Sequence, residues 1–256
     1  MATTTIERPV SRSRFKLPTR RDPWWIQPVI TVLVLGGFAI YSFWSGVLAP
    51  HGYIAEPYVS PFYSPLIITS WWPLSPALLV MWAPLLFRLT CYYYRKAYYR
   101  SFFWAPPACA IGELRGTNEN YGGESRFPYI LQNLHRYLWW ASGVVLIFLW
   151  YDTVRAFFFP EGFGIGMGSI IMLVNVVLLS GYSLSCHSFR HIVGGGVNCY
   201  SCAFAGRARF KLWSLASVLN VVHGRWAWFS LVFVAFTDIY IRLVAAGLFP
   251  DPRVIF

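Results

Sequence analysis

Apolar segments about as long as a lipid bilayer is thick constrain this sequence more than any other feature. The first occupies about residues 26–49 and contains no charged side chain. A helix of about 20 apolar residues crosses a hydrocarbon core of about 30 Å. The chain is 57% hydrophobic and 12% charged, which is typical of membrane proteins rather than soluble domains. The sequence therefore predicts an all-α integral membrane protein.

Five such segments are predicted to form one transmembrane domain over residues 25–248. Their predicted bounds are about residues 26–49, 74–94, 128–158, 166–191 and 212–247. The fifth is longer than a bilayer requires, so its first turns are expected to lie in water. A basic arm (residues 1–24) precedes this domain and a short tail (residues 249–256) follows it.

The distribution of basic residues predicts the orientation of these helices. Lys and Arg occur in the N-terminal arm and in the loops after the second and fourth segments, but not in the two other loops. Basic loops remain on the cytoplasmic side, so the N-terminus is predicted to be cytoplasmic and the C-terminus outside. The net charge of +11 is accounted for by these loops. It therefore indicates a plasma-membrane protein in contact with lipid and no nucleic-acid partner.

Potential metal ligands cluster between the fourth and fifth segments. His187 and His191 are four residues apart and would project from one face of a helix. Cys199 and Cys202 form a Cys-x-x-Cys motif, the spacing at which two thiolates can hold one metal. The sequence predicts a site built from these four side chains, with Cys186 as the substitute if one of them is not a ligand.

Acidic and basic residues near the outer ends of two helices form a second group. Asp152 and Arg155 are three residues apart, and Asp238 and Arg242 are four apart, spacings that permit ion pairs within a helix. A proton route is one interpretation of these pairs. Packing within the membrane is the interpretation we favour.

Four motifs together resemble the membrane-anchor subunit of succinate dehydrogenases of the single-anchor, five-helix type. They are residues 91–101 (CYYYRKAYYRS), 186–195 (CHSFRHIVGG), 223–230 (HGRWAWFS) and 237–243 (TDIYIRL). The resemblance implies a flavoprotein partner that oxidises succinate, an iron-sulfur partner docked on the cytoplasmic face, and quinone reduction in the anchor. It implies a place in the respiratory chain and the tricarboxylic acid cycle, and it leaves open a homo-oligomer of the complex.

The resemblance also directs attention to candidate quinone-binding residues at the inner helix ends. A quinone head requires aromatic walls and hydrogen-bond donors to its two carbonyls. The candidates are His135, Arg136 and Trp139 on the third segment and His223, Arg225 and Trp226 on the fifth. Menaquinone is the predicted quinone. A second quinone site at the outer Asp–Arg pairs is the other alternative to packing there.

Three occupants of the Cys/His site are considered. Anchors of this type commonly carry two b haems, but the first and second segments have no histidine within the bilayer, which leaves at most one inner haem. That haem would be held between His135 or His223 and a histidine of the fourth segment. His223 is also an alternative ligand of the Cys/His site. Zinc fits two cysteines and two histidines and would hold the glycine loop against the fourth segment.

A Rieske-type [2Fe-2S] centre is the occupant we favour, with the two motif cysteines on one iron and two histidines on the other. An electron-transferring anchor that is poor in haem ligands still requires a redox centre. Histidine ligation gives potentials of about −150 to +300 mV, which suit electron transfer to a quinone. The alternative from another class is a non-redox transporter or scaffold stabilised by zinc. The sequence lacks the paired, interrupted segments typical of transporter repeats.

Overall fold

The computed structural model describes residues 25–103, 129–195 and 197–256, together with Pro23 and Phe127. The predicted basic arm lies outside the described chain apart from Pro23. The helices are α1 (Ile26–Phe43), α2 (Ala77–Thr90), α3 (Tyr92–Phe102), α4 (His135–Arg155), α5 (Met167–Leu184), α6 (His187–Gly194), α7 (Gly206–Val221) and α8 (His223–Ala245). The strands are β1 (Ile54–Ala55), β2 (Tyr58–Val59), β3 (Phe158–Phe159), β4 (Gly162–Gly166) and β5 (Arg253–Ile255). A π-helical turn (Trp44–Leu48) extends α1, and 3-10 turns cover Pro61–Tyr63, Tyr129–Leu134 and Tyr200–Cys202.

Four of the described helices are long and apolar enough to cross a membrane. They are Ile26–Leu48, Ile130–Arg155, Met167–Leu184 and His223–Ala245. The pair α2 and α3 would provide a fifth span, although a bend of 73° separates the two helices. The predicted helical membrane protein is thus confirmed, with four to five spans in the part of the chain that is described.

Three predicted segments are each divided into two helices. The second bends at Cys91, whose backbone is extended (φ −64°, ψ 128°), so α3 leaves the axis of α2. The fourth ends at Leu184, and after another extended residue, Cys186 (φ −67°, ψ 141°), α6 begins at His187. The fifth is divided at Val222 (φ −109°, ψ 20°). None of these breaks contains proline or glycine, so hydropathy and breaker residues do not reveal them.

One end of the bundle is closed by the short strands and the C-terminal tail. Strands β3, β4 and β5 form an antiparallel sheet, in which Ile165 pairs with Val254. Asp251 accepts hydrogen bonds from the hydroxyls of Tyr58 and Tyr240, each at 2.6 Å. Burial and the bond to Asp251 raise the pKa of Tyr58. The tail therefore lies at the same end as the loop between α4 and α5, as expected because two spans, α5 and α8, separate them.

A buried ion pair stabilises the same end. Asp238 is completely buried and accepts a hydrogen bond from Arg242 Nε at 2.9 Å. It also accepts hydrogen bonds from the hydroxyls of Tyr41, Ser45 and Ser60. Arg242 further donates to main-chain carbonyls at the end of α1, including that of Ser45 at 2.9 Å. The pair thus joins α8 to α1 and the loop after it.

Candidate Cys/His pocket

The helix ends opposite the strands form a partly open pocket of about 490 Å³. Its walls come from the bend between α2 and α3, the first residue of α4, the break between α5 and α6, and the start of α8. The lining side chains include Cys91, Arg95, Gln132, His135, Cys186, His187, Asn220 and His223. Cysteine and histidine thus meet here from four different parts of the chain.

His223 and Cys91 form the first of two cysteine–histidine pairs in this pocket. Cys91 Sγ lies 3.5 Å from His223 Nε2, and Ser185 Oγ lies 2.7 Å from His223 Nδ1. The Ser185 hydroxyl donates its proton to the Tyr182 carbonyl at 3.1 Å, so it accepts the N–H at Nδ1. His223 Nε2 therefore presents its lone pair toward the sulfur.

His135 and Cys186 form the second pair in the same way. His135 Nε2 lies 3.2 Å from Cys186 Sγ, and His135 Nδ1 lies 3.0 Å from Thr90 Oγ1. The Thr90 hydroxyl donates to the Leu86 carbonyl at 2.8 Å, which leaves it as an acceptor for Nδ1–H. The His135 ring also stacks on Phe87, with 4.6 Å between ring centroids. Hydroxyl groups thus orient both imidazoles, as outer partners orient metal-ligating histidines.

Both thiols are buried, with Cys91 3% and Cys186 2% exposed. Burial raises the pKa of the Cys186 thiol to about 12. At neutral pH this thiol is protonated and can donate its hydrogen to the neighbouring Nε2.

A buried cation lies beside the pocket. Arg88 is 8% exposed and donates to the Tyr94 hydroxyl at 2.6 Å and to Ser230 Oγ at 2.9 Å. Its guanidinium lies 4.6 Å from the centre of the Tyr182 ring. In the described part of the chain, no carboxylate forms an ion pair with Arg88. Arg88 itself lines a neighbouring, largely apolar cavity rather than the pocket.

The four ligands predicted from the sequence are not gathered at one point. His187 lines the pocket, but His191 is exposed on a neighbouring groove. Cys199 and Cys202 are exposed in the loop before α7, where a disulfide joins them. Among the described residues, no group of three or more His, Cys, Asp or Glu side chains has the geometry to hold a single metal ion. The loop carries the two cysteines to the far end of α6, away from His187.

The candidate quinone-binding residues are distributed over two grooves that flank the pocket. One groove contains His135 and Arg136 together with His187 and His191. The other is lined by His223, Arg225 and further residues of α8. The quinone site remains a prediction.

Trp139 and Trp226 lie in helix contacts rather than in either groove. Trp139 donates to the Ser183 carbonyl at 3.0 Å. Trp226 packs against Gly181 on α5. These two candidates are thus part of the bundle's packing.

Sequence reasoning missed Cys91, Thr90 and Ser185 as members of this site and Arg88 beside it. Cys91 has no other ligand at metal-binding spacing in the sequence, so no local motif marks it. Its position at the end of an apolar segment, just before the polar run of α3, was the available signal. The hydroxyl partners have no sequence signature, since their role depends on contacts between different helices.

The fold and the pocket define a multi-pass membrane protein with a buried cysteine/histidine pocket at one end of its helical bundle. The sequence matches the family model of the actinobacterial succinate dehydrogenase subunit SdhC over residues 26–247. Among solved structures, it is similar to a chain of the Mycobacterium smegmatis Sdh1 complex in the apo form. The two share 37% sequence identity with a TM-score of 0.84, over 99% of this chain and 100% of that chain. No curated protein matches this chain.

The chain belongs to the family of the actinobacterial succinate dehydrogenase subunit SdhC. The resemblance to membrane-anchor subunits, predicted from the four sequence motifs, is confirmed. The chain is accordingly a multi-pass protein of the bacterial plasma membrane.

Proposed function

We propose that this chain anchors a succinate dehydrogenase flavoprotein and iron-sulfur subunit to the membrane and conducts their electrons to menaquinone. Family membership and the similarity to a chain of the M. smegmatis Sdh1 complex support the anchoring role. The basic loops favour a cytoplasmic N-terminus and an outer C-terminus. The observation that carries the electron-transfer role is the buried pocket with its two cysteine–histidine pairs.

The pocket residues fit a Rieske-type [2Fe-2S] centre better than the four ligands predicted from the sequence do. Cys91, Cys186, His135 and His223 provide the two sulfurs and two nitrogens that such a centre requires. The Cys91 and Cys186 thiols interact with each other, as do the His135 and His223 imidazoles, so the two cysteines could hold one iron and the two histidines the other. A haem would require two histidines facing each other across a porphyrin, whereas each Nε2 here faces a thiol. When bound, the centre would supply a one-electron carrier of raised potential.

The protein's own contribution is to hold and shield these four groups. Thr90 and Ser185 fix the orientation of the imidazoles through Nδ1, and Phe87 and Tyr182 stack on the rings at 4.6 and 5.1 Å. Arg88 places a positive charge near His223. This charge would favour the reduced form of such a centre. These contacts favour electron transfer at the helix ends nearest the proposed iron-sulfur partner.

Metal and sulfide analysis of the purified complex, with low-temperature EPR after dithionite reduction, tests this assignment. We expect iron and acid-labile sulfide, and a rhombic signal characteristic of nitrogen-ligated [2Fe-2S] centres. The signal should be lost in Cys91→Ser and in Cys186→Ser but retained in the matched control Cys199→Ser. The reverse pattern would restore the site predicted from the sequence. Zinc without iron would make the pocket a structural metal site.

The two flanking grooves are distinguished by a matched pair of arginine variants. Arg136→Ala removes a donor from one groove and Arg225→Ala from the other, and both side chains are exposed. The variant whose groove binds the quinone should lose quinone reduction, while succinate oxidation by a soluble dye is retained. If both variants reduce quinone at the wild-type rate, neither arginine is part of the quinone site.

Co-purification separates this proposal from the remaining alternative, a non-redox transporter or scaffold. An anchor should copurify with the flavoprotein and the iron-sulfur subunit. A chain that purifies alone and binds only zinc would favour the alternative.

A further inference from the structure

The Cys-x-x-Cys motif is not used by the pocket, yet its two sulfurs meet. Cys199 and Cys202 have Cα atoms 5.3 Å apart, within the range that a disulfide requires. The Cys202 N–H donates to the Cys199 carbonyl at 3.3 Å, so the backbone turn itself holds the side chains together. Both residues are exposed, in contrast to the buried Cys91 and Cys186. Small molecules in water can therefore reach this pair.

The surroundings of the pair are electropositive. Residues 186–222 contain no Asp or Glu, and their four Lys and Arg residues are Arg190, Arg207, Arg209 and Lys211. Such a surface attracts anionic reactants. Thiols and disulfides of low molecular weight that carry carboxylates belong to this class.

The loop that carries the pair is attached to α6. The Tyr200 hydroxyl donates to the Gly194 carbonyl at 3.4 Å, and Arg209 Nε donates to the Val193 carbonyl at 2.9 Å. A side chain at Gly194 would overlap both Trp213 and Tyr200, which shows how closely the loop and α7 approach. The other end of α6 lines the pocket, so the disulfide loop supports one wall of that pocket.

We propose that Cys199 and Cys202 are a redox-modification site, a reversible disulfide that holds the loop against α6. The exchange partners are anionic thiols and disulfides of low molecular weight. In reduction, a thiolate attacks one sulfur, the Cys199–Cys202 bond breaks, and a mixed disulfide forms. A second thiol releases the mixed disulfide. Two external thiols are thus oxidised to one disulfide, and both cysteines end as thiols.

Thiol trapping in the purified complex tests this site. The complex is equilibrated with graded ratios of reduced to oxidised glutathione, quenched with acid and alkylated with iodoacetamide. The mass of the peptide that contains both cysteines is then measured by mass spectrometry. We expect the two carbamidomethyl groups to appear together, with the dependence of a two-electron couple on the glutathione ratio. In the control Cys199→Ser, this intramolecular transition should be lost, and Cys202 should form at most a mixed disulfide with one glutathione.

Full alkylation of both cysteines at every ratio, or a pair that resists dithiothreitol, would overturn the proposal. Release of zinc as the thiols become reactive would also overturn it, since a metal would then hold the motif. Amide hydrogen exchange tests the connection to α6, because reduction should accelerate exchange in α6 but leave α8 unchanged. If the amides of α6 exchange equally fast in the oxidised and reduced states, the disulfide does not stabilise the pocket wall.

Discussion

Replacement of Asp238 by alanine is expected to lower the free energy of unfolding by about 3–5 kcal/mol, the usual effect of breaking a buried ion pair from one side. The carboxylate is 0% exposed and accepts four side-chain hydrogen bonds. Their donors are Arg242, Tyr41, Ser45 and Ser60. Its removal leaves the guanidinium without a counter-charge and three hydroxyls without this acceptor. The carbonyl partners of Arg242 remain, so the effect should not exceed this range.

Scanning fluorimetry of the purified complex measures this loss. A change of 1 kcal/mol shifts the melting temperature of a domain of this size by about 2–4 °C, so Asp238→Ala should melt about 6–20 °C below the wild type. Asp152→Ala is the matched control. Asp152 also lies on a membrane helix near the same end, where it interacts with Ser64 and with the charge of Arg155 but forms no direct ion pair among the described residues. The control should melt within about 4 °C of the wild type, as expected for the loss of about 1 kcal/mol from one hydrogen bond.

A double-mutant cycle isolates the charge pair from simple loss of packing. If the cost arises from an uncompensated guanidinium, Asp238→Ala combined with Arg242→Ala should be more stable than the sum of the single effects predicts, by about 0.5–3 kcal/mol. Additive effects, or a melting temperature of Asp238→Ala within about 2 °C of the wild type, would refute the reasoning.

Three further predictions concern packing and the pocket. Gly181→Ala places a methyl group against the Trp226 ring and should lower the free energy of unfolding by about 1–3 kcal/mol, as measured by thermal denaturation. In the control Gly143→Ala, a Cβ meets nothing within 4 Å, so the protein should not be destabilised. Equal effects of the two substitutions would contradict close packing at Gly181. Arg88→Gln should lower the midpoint potential of the pocket centre in an EPR titration, because it removes a cation that favours the reduced form; an unchanged potential would exclude this role. Thr90→Ala should weaken metal retention about 10–100-fold, as measured by loss of iron to a chelator, and wild-type retention would show that the hydroxyl does not matter.

Hydropathy and charge are local properties of a chain, and the sequence alone therefore identified the apolar segments, the basic loops and the family motifs. It failed at the helix breaks. Cys91, Cys186 and Val222 interrupt predicted helices without any proline or glycine, because packing between helices rather than local backbone preference decides where these helices turn. Each break brings a pocket residue to the helix ends, since His223 directly follows the third break.

The predicted and observed cysteine–histidine groups show the same difference between what the sequence and the tertiary structure determine. The spacing of Cys199 and Cys202 is visible in the sequence, and it directed the predicted metal site to a loop where the structure forms a disulfide instead. The pocket pairs have no such spacing, because 132 residues separate Cys91 from His223 and 51 separate His135 from Cys186. Only the packing of α2, α4, α5 and α8 brings these side chains together. The sequence thus determined a membrane protein and its family, whereas the tertiary structure decided which cysteines and histidines meet.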